Sequence, residues 1–102
     1  MINATIAKEW IKLEGHAGAG PNGYDIVCAA VSAIVQTFVI AVEDLTTDEL
    51  EKAVEPDTGQ IRALVWGEEA SEKTKVLVDA MWLGLTAIAR EYPDYLQTKV
   101  YS

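Results

Sequence analysis

The chain has one histidine, His16, and one cysteine, Cys28, twelve residues apart on either side of a glycine-rich stretch. An imidazole that can take the proton of a nearby thiol makes a nucleophile for acyl transfer, so this pair sets the first chemical expectation. A single buried cysteine also serves simply as a small apolar side chain, and its position decides between the two. Asp25 is suited to cap a helix through its carboxylate, which would put Cys28 in the first helical turn. Unpaired amides and the positive end of the helix dipole there favour a thiolate and could hold a developing oxyanion. Asp25, Cys28, Ser32 and Gln36 are spaced three, four and four and form one polar stripe on an otherwise apolar helix. A buried helix needs such a stripe only where it meets a site or another polar surface.

The charge of Asp25 opposes a thiolate. At an effective dielectric of 20, a unit charge ~4 Å away contributes ~4 kcal/mol and one ~7 Å away ~2.4 kcal/mol. A protonated His16 in contact therefore outweighs the carboxylate, and activation depends on where the glycine segment holds His16. One His and one Cys make no metal-ligand set, so no metal and no cofactor is expected. Gly18-x-Gly20-x-x-Gly23 has the form of a dinucleotide fingerprint, but the strand before it and the partner carboxylate after it are wrong for one. Trp10, Trp66 and Trp82 are too scattered for a base-stacking platform and fit a core or an interface.

The elements that must position these groups can be read from periodicity. Ile2, Ala4 and Ile6 alternate with Asn3 and Thr5, and Ile11 and Leu13 alternate with Lys12 and Glu14, which predicts a hairpin around Lys8-Glu9. Gly15 to Tyr24 holds four glycines, a proline and an asparagine and reads as a loop. Ile26 to Val42 is uncharged for seventeen residues, a helix whose many Val and Ile make it dependent on burial. At 1.5 Å per residue it spans about 25 Å, short of a hydrocarbon core of about 30 Å. Ser32, Gln36 and Thr37 interrupt it, so no membrane span is expected.

Residues 50–54 carry a weak edge-strand pattern, Pro56-Asp57-Thr58-Gly59 is a turn, and Ile61 to Trp66 reads as the returning strand. A second helix runs from about Ser71, its cap, to Glu91, with Val76, Leu77, Ala80, Met81, Gly84, Leu85 and Ile88 as its apolar face. Pro93 ends it, and Tyr95 to Tyr101 forms a last strand. The order β-β-α-β-β-α-β predicts an α+β fold: a mixed, mainly antiparallel sheet with two helices on one face, a single domain over residues 1–102. The sheet's other face and its edges leave room for a second copy.

Composition narrows the function. Of 102 residues half are apolar, and 16 Asp and Glu against 8 Lys and Arg give a net charge of −8. That balance opposes direct nucleic-acid binding and favours a basic protein partner, toward which the acidic run Glu43 to Asp57 could steer. The lone thiol suits a reducing compartment, and the amino end has no basic leader followed by an apolar run, so a cytoplasmic location is expected.

Gly15-His16-Ala17-Gly18, with Gly23-x-Asp25-Ile26-Val27-Cys28-Ala29-Ala30-Val31-Ser32, resembles the Prp family of ribosomal-processing cysteine proteases. Leu83-Gly84-Leu85-x-x-Ile88-Ala89 and Glu91-Tyr92-Pro93-x-Tyr95 are similar to that family's C-terminal helix and its exit. The resemblance implies a homodimeric α+β endopeptidase that removes an N-terminal extension from a large-subunit ribosomal protein precursor. Phage relatives are expected to process virion proteins instead. It further implies Cys28 as nucleophile and His16 as base, with Gly15, Asp25 and Ser32 in support. A non-catalytic dimer that binds such a peptide, or a redox-sensing thiol, would carry the same cysteine with no peptide turnover.

Overall fold

The computed structural model describes residues 1–15 and 22–102, with the side chains of 22–25 excepted. These residues form β1 (Ile2–Ile6), β2 (Trp10–Glu14), α1 (Asn22–Leu45), β3 (Glu51–Val54), β4 (Ile61–Val65), α2 (Glu72–Glu91) and β5 (Leu96–Val100). The element order is the expected one.

The strands lie in the order β3-β4-β2-β1-β5. The β1–β2, β2–β4 and β3–β4 pairs are antiparallel, and β5 joins β1 in parallel. Parallel pairing needs a long crossover, and α2 supplies it. Period two decides which face is covered: Ile2, Ala4, Ile6, Ile11, Leu13, Leu64 and Leu96 are all buried, while their neighbours Asn3, Lys12, Glu14 and Gln97 are exposed. Both helices pack on that one face, which completes the predicted α+β layout.

Burial, not propensity, holds α1 together. Val27, Val31, Val35, Phe38, Val39 and Val42 are buried against the sheet and α2, each such side chain being worth about 1.5–3 kcal/mol of transfer. By length and composition α1 from Ile26 to Leu45 could cross a membrane. Its buried stripe at three- and four-residue spacing is instead that of a core helix. Phe38 meets the edge of Trp66 at 5.9 Å between ring centroids. The indole N–H of Trp66 donates to the carbonyl of Lys8 at 2.9 Å, and the amides of Trp66 and Gly67 donate to the carbonyl of Glu9. The first hairpin turn is thereby tied to the end of β4.

Two helical expectations need correction. The first helix starts at Asn22 and runs to Leu45, so Asp25 lies inside it and does not cap it. Gly23 reads as a loop former, yet glycine is not excluded from a first turn, where the amides have no helical partner anyway. In α2, Val76 and Ala80 of the predicted apolar face are exposed, and Thr74 and Val78 are buried with Met81 and Leu85. The helix is apolar on two sides, and periodicity alone does not say which side meets the sheet.

Ser71 is the N-cap of α2, as expected. The carboxylate of Asp48 reinforces it, accepting from the Ser71 amide at 2.9 Å, the Ser71 hydroxyl at 2.6 Å and the Thr74 hydroxyl at 2.5 Å. The Ser71 and Thr74 hydroxyls, followed by the Ser71 amide, hold the Asp48 carboxyl below its ordinary value of 3.8.

Candidate active site

Cys28 is buried and lines a cavity of about 50 Å³ between the amino half of α1 and the ends of β2 and β4. Ile2, Leu13, Val31, Val35 and Ile61 make its apolar wall. Ser32 and Gln36 line the same cavity. Three members of the predicted polar stripe thus share one surface, and that surface faces a cavity. Glu14, Gly15, Gln60 and Arg62 also line it.

The helix start changes how the thiol is tuned. In a helix that begins at Asn22 the unpaired amides belong to residues 22–25, and Cys28 is the seventh helical residue. The dipole effect is strongest within the first turn and decays beyond it. Cys28 therefore lies beyond the first turn, where the helix dipole acts less on it than the sequence implied.

Gly15 directly follows β2. Its φ is +114°, and a Cβ there would overlap the carbonyl oxygen of Met1 and approach Ile2 Cα to 3.0 Å. Only glycine fits without displacement of the β1 backbone. The Gly15 carbonyl in turn accepts a hydrogen bond from Arg62 Nη1 at 3.0 Å, and Arg62 Nη2 lies 3.6 Å from Glu55 Oε2. His16, the remainder of the segment up to residue 21, and the side chain of Asp25 lie outside the described residues. Among the described residues no group of three His, Cys, Asp or Glu gathers into a metal-binding set.

Sequence reasoning passed over Arg62 and Gln60. A signal for Arg62 was present: it shares strand parity with Leu64, which is fully buried. A charged residue at core parity near a strand end marks a place where the core opens. Gln60 lies in the turn before β4 and carried no comparable mark.

A cysteine thiol lining a polar-edged cavity, on a five-stranded α+β scaffold with two helices on one face, fits a small cysteine protease. The chain belongs to the cysteine protease Prp family, whose family model matches residues 1–97. The ribosomal processing cysteine protease Prp of Bacillus subtilis is 33% identical to it, with 95% of each chain covered. The protein of the same name from Staphylococcus aureus is 28% identical, over 83% of this chain and 79% of the relative. A crystal structure from Streptococcus mutans is 32% identical, with a TM-score of 0.87 over 98% of this chain and 93% of that one. The S. aureus protease Prp crystallised with a substrate peptide shares the fold at 23% identity, with a TM-score of 0.89 over 99% of this chain and 100% of that one.

Proposed function

We propose that this protease removes an N-terminal extension from a large-subunit ribosomal protein precursor, with Cys28 as nucleophile and His16 as base. His16 takes the thiol proton, and Cys28 attacks the scissile carbonyl to give a tetrahedral oxyanion. Collapse of that intermediate expels the amine, which leaves with the proton held by His16, and water then hydrolyses the acyl-enzyme. Gly15, Asp25 and Ser32 serve as supporting residues of the site.

The observation that carries this reading is the shared cavity. Cys28 lines it together with Gly15, the residue directly before His16 in the chain. The printed names of the B. subtilis and S. aureus relatives support ribosomal processing as the context. The net charge of −8 suits a basic ribosomal substrate in the cytoplasm. The chain works as a homodimer. Ile26 and Ile40 on α1, and Val76 and Leu83 on α2, are exposed apolar side chains on the helix layer and supply a surface for the second copy.

Mass spectrometry of the candidate precursor after incubation with the protein tests the reaction. A single N-terminal shortening by the wild type, abolished in Cys28→Ala and in His16→Ala, is the expected result. Tight peptide binding with no change of mass would convert the protein into a non-catalytic binding module. Cleavage of a virion protein in place of the ribosomal precursor would move the substrate to a phage.

A further inference from the structure

We propose that Arg62 makes the cavity beside Cys28 a carboxylate-recognising subsite, which takes an acidic group of the peptide substrate. The proposal rests on the reading of Cys28 as the nucleophile of a peptide-cleaving site and adds what that site selects.

Among the described residues that line the cavity, Arg62 is the one cation and Glu14 the one anion. The two charges are not equivalent. The Glu14 side chain is 58% exposed and lies 3.5 Å from Lys12 Nζ, so solvent and a neighbouring ammonium screen it. Arg62 shares strand parity with the buried Leu64, and its own side chain is only 28% exposed. A guanidinium held against the apolar wall of Leu13, Val31 and Ile61 loses much of its hydration, and an anion brought into the same cavity replaces part of it.

The donors of Arg62 are only partly used. Nη1 donates to the Gly15 carbonyl at 3.0 Å. Nη2 lies 3.6 Å from Glu55 Oε2, too far for a hydrogen bond. The bond to Gly15 fixes the plane of the guanidinium and leaves further N–H groups of that plane for a second acceptor. A carboxylate fits such a fork better than a single carbonyl does, because its two oxygens accept side by side. Glu55 is the internal competitor, since its carboxylate draws on the same cation.

The long-range field of a chain with net charge −8 gathers a basic substrate, whereas Arg62 acts within a Debye length of about 8–10 Å and reads one acidic group in it. Two groups of a peptide have that chemistry. One is an Asp or Glu side chain beside the scissile bond, and the other is the terminal carboxylate that hydrolysis creates on the cut chain.

Paired alkylation reads the charge of the cavity without any substrate. The Cys28 thiolate forms a thioether bond and iodide leaves in both reactions, so iodoacetate and iodoacetamide differ only in carboxylate against amide. Groups that merely set the thiolate population act on both reagents alike and cancel in the ratio of rates. That ratio is measured relative to N-acetylcysteine, with a thermal melt for each variant. Arg62→Met is expected to lower the wild-type ratio by roughly threefold to tenfold, Arg62→Lys by less, and Glu55→Gln to raise it by about twofold. Peptides then assign the source. With junction peptides that carry Glu or Gln at one position beside the scissile bond, an Arg62-dependent preference for Glu of roughly threefold to tenfold in kcat/KM assigns the carboxylate to a side chain. Inhibition by the cleaved product as free acid but not as carboxamide, lost in Arg62→Met, assigns it to the cut end.

An unchanged alkylation ratio in Arg62→Met overturns the proposal and leaves Arg62 a structural residue. Absence of both peptide effects in a protein that cleaves overturns it too. If Arg62→Met does not fold, an unchanged ratio in Glu55→Gln overturns it equally. A Cys28 that neither reagent reaches in the folded protein does the same, since no carboxylate then enters the cavity. Failure of the nucleophile reading is separate: it shows as no peptide turnover while the alkylation ratio still falls in Arg62→Met.

Discussion

A methyl group added at Gly15 would meet the Met1 carbonyl oxygen, and the torsion there, φ +114°, is one that residues with a Cβ rarely adopt. Gly15→Ala is therefore expected to cost about 1–3 kcal/mol in chemical denaturation and to slow peptide cleavage as well. Gly59 is the control. It too has positive φ, +73°, but nothing lies within 4 Å of its Cβ position. Gly59→Asn is expected to change stability by less than about 1 kcal/mol and cleavage not at all, because Asn tolerates left-handed backbone. Equal losses in both variants would show that torsion alone, and not the contact with β1, accounts for the demand at Gly15. The residues of the site were legible unevenly. Cys28, Ser32 and Gln36 were visible as a stripe because a helix repeats every 3.6 residues, and that repeat survives any shift of the helix start. The clamp on Gly15 was not visible, since it joins residues 47 apart in the chain.

At the scale of elements, the same division between local and distant signals recurs. The strands declared themselves by period two, and Ser71 by its type and place ahead of an apolar run. The start of α1 misled because the first turn of a helix tolerates residues that elsewhere break one, and because Asp25, directly ahead of the uncharged run, is a good cap by type. Thr74, polar by type, is fully buried. Its hydroxyl donates to Asp48, which lies 26 residues earlier. That contact makes a prediction in pH. The folded carboxyl of Asp48 sits below its unfolded value, so its stabilisation is present above about pH 4 and is lost as pH falls through the folded value. Asp48→Asn is expected to lower the denaturation midpoint at neutral pH and to flatten the fall in wild-type stability between about pH 5 and pH 3. Ser71→Ala, which removes the cap hydroxyl, is expected to cost about 1 kcal/mol. An unchanged acid slope in Asp48→Asn would assign that slope to other carboxylates.

For the whole molecule, the net charge of −8 constrains how two copies can meet. Like-charged chains repel at long range, so a stable pair must form on a surface that carries little charge. From Ile26 to Val42 the first helix has no charged residue. Along the helices Ile26, Ile40, Val76 and Leu83 are each more than half exposed. The open face of the sheet differs: Lys12, Glu14, Glu51, Gln97 and Lys99 stand exposed on it, around Trp10 and Tyr101, whose rings meet at a tilt of 47° with centroids 5.5 Å apart. A homodimer built on the helix layer would be held by apolar burial and opposed by net charge. Salt weakens the second and leaves the first, so raising ionic strength from roughly 20 to 300 mM is expected to tighten association in sedimentation velocity. Leu83→Glu is expected to give monomer at every salt concentration, since it places two new carboxylates across a two-fold interface, and Lys99→Glu on the sheet face is expected to have little effect. Association that weakens with salt, or that survives Leu83→Glu and fails in Lys99→Glu, would move the interface to the charged face of the sheet.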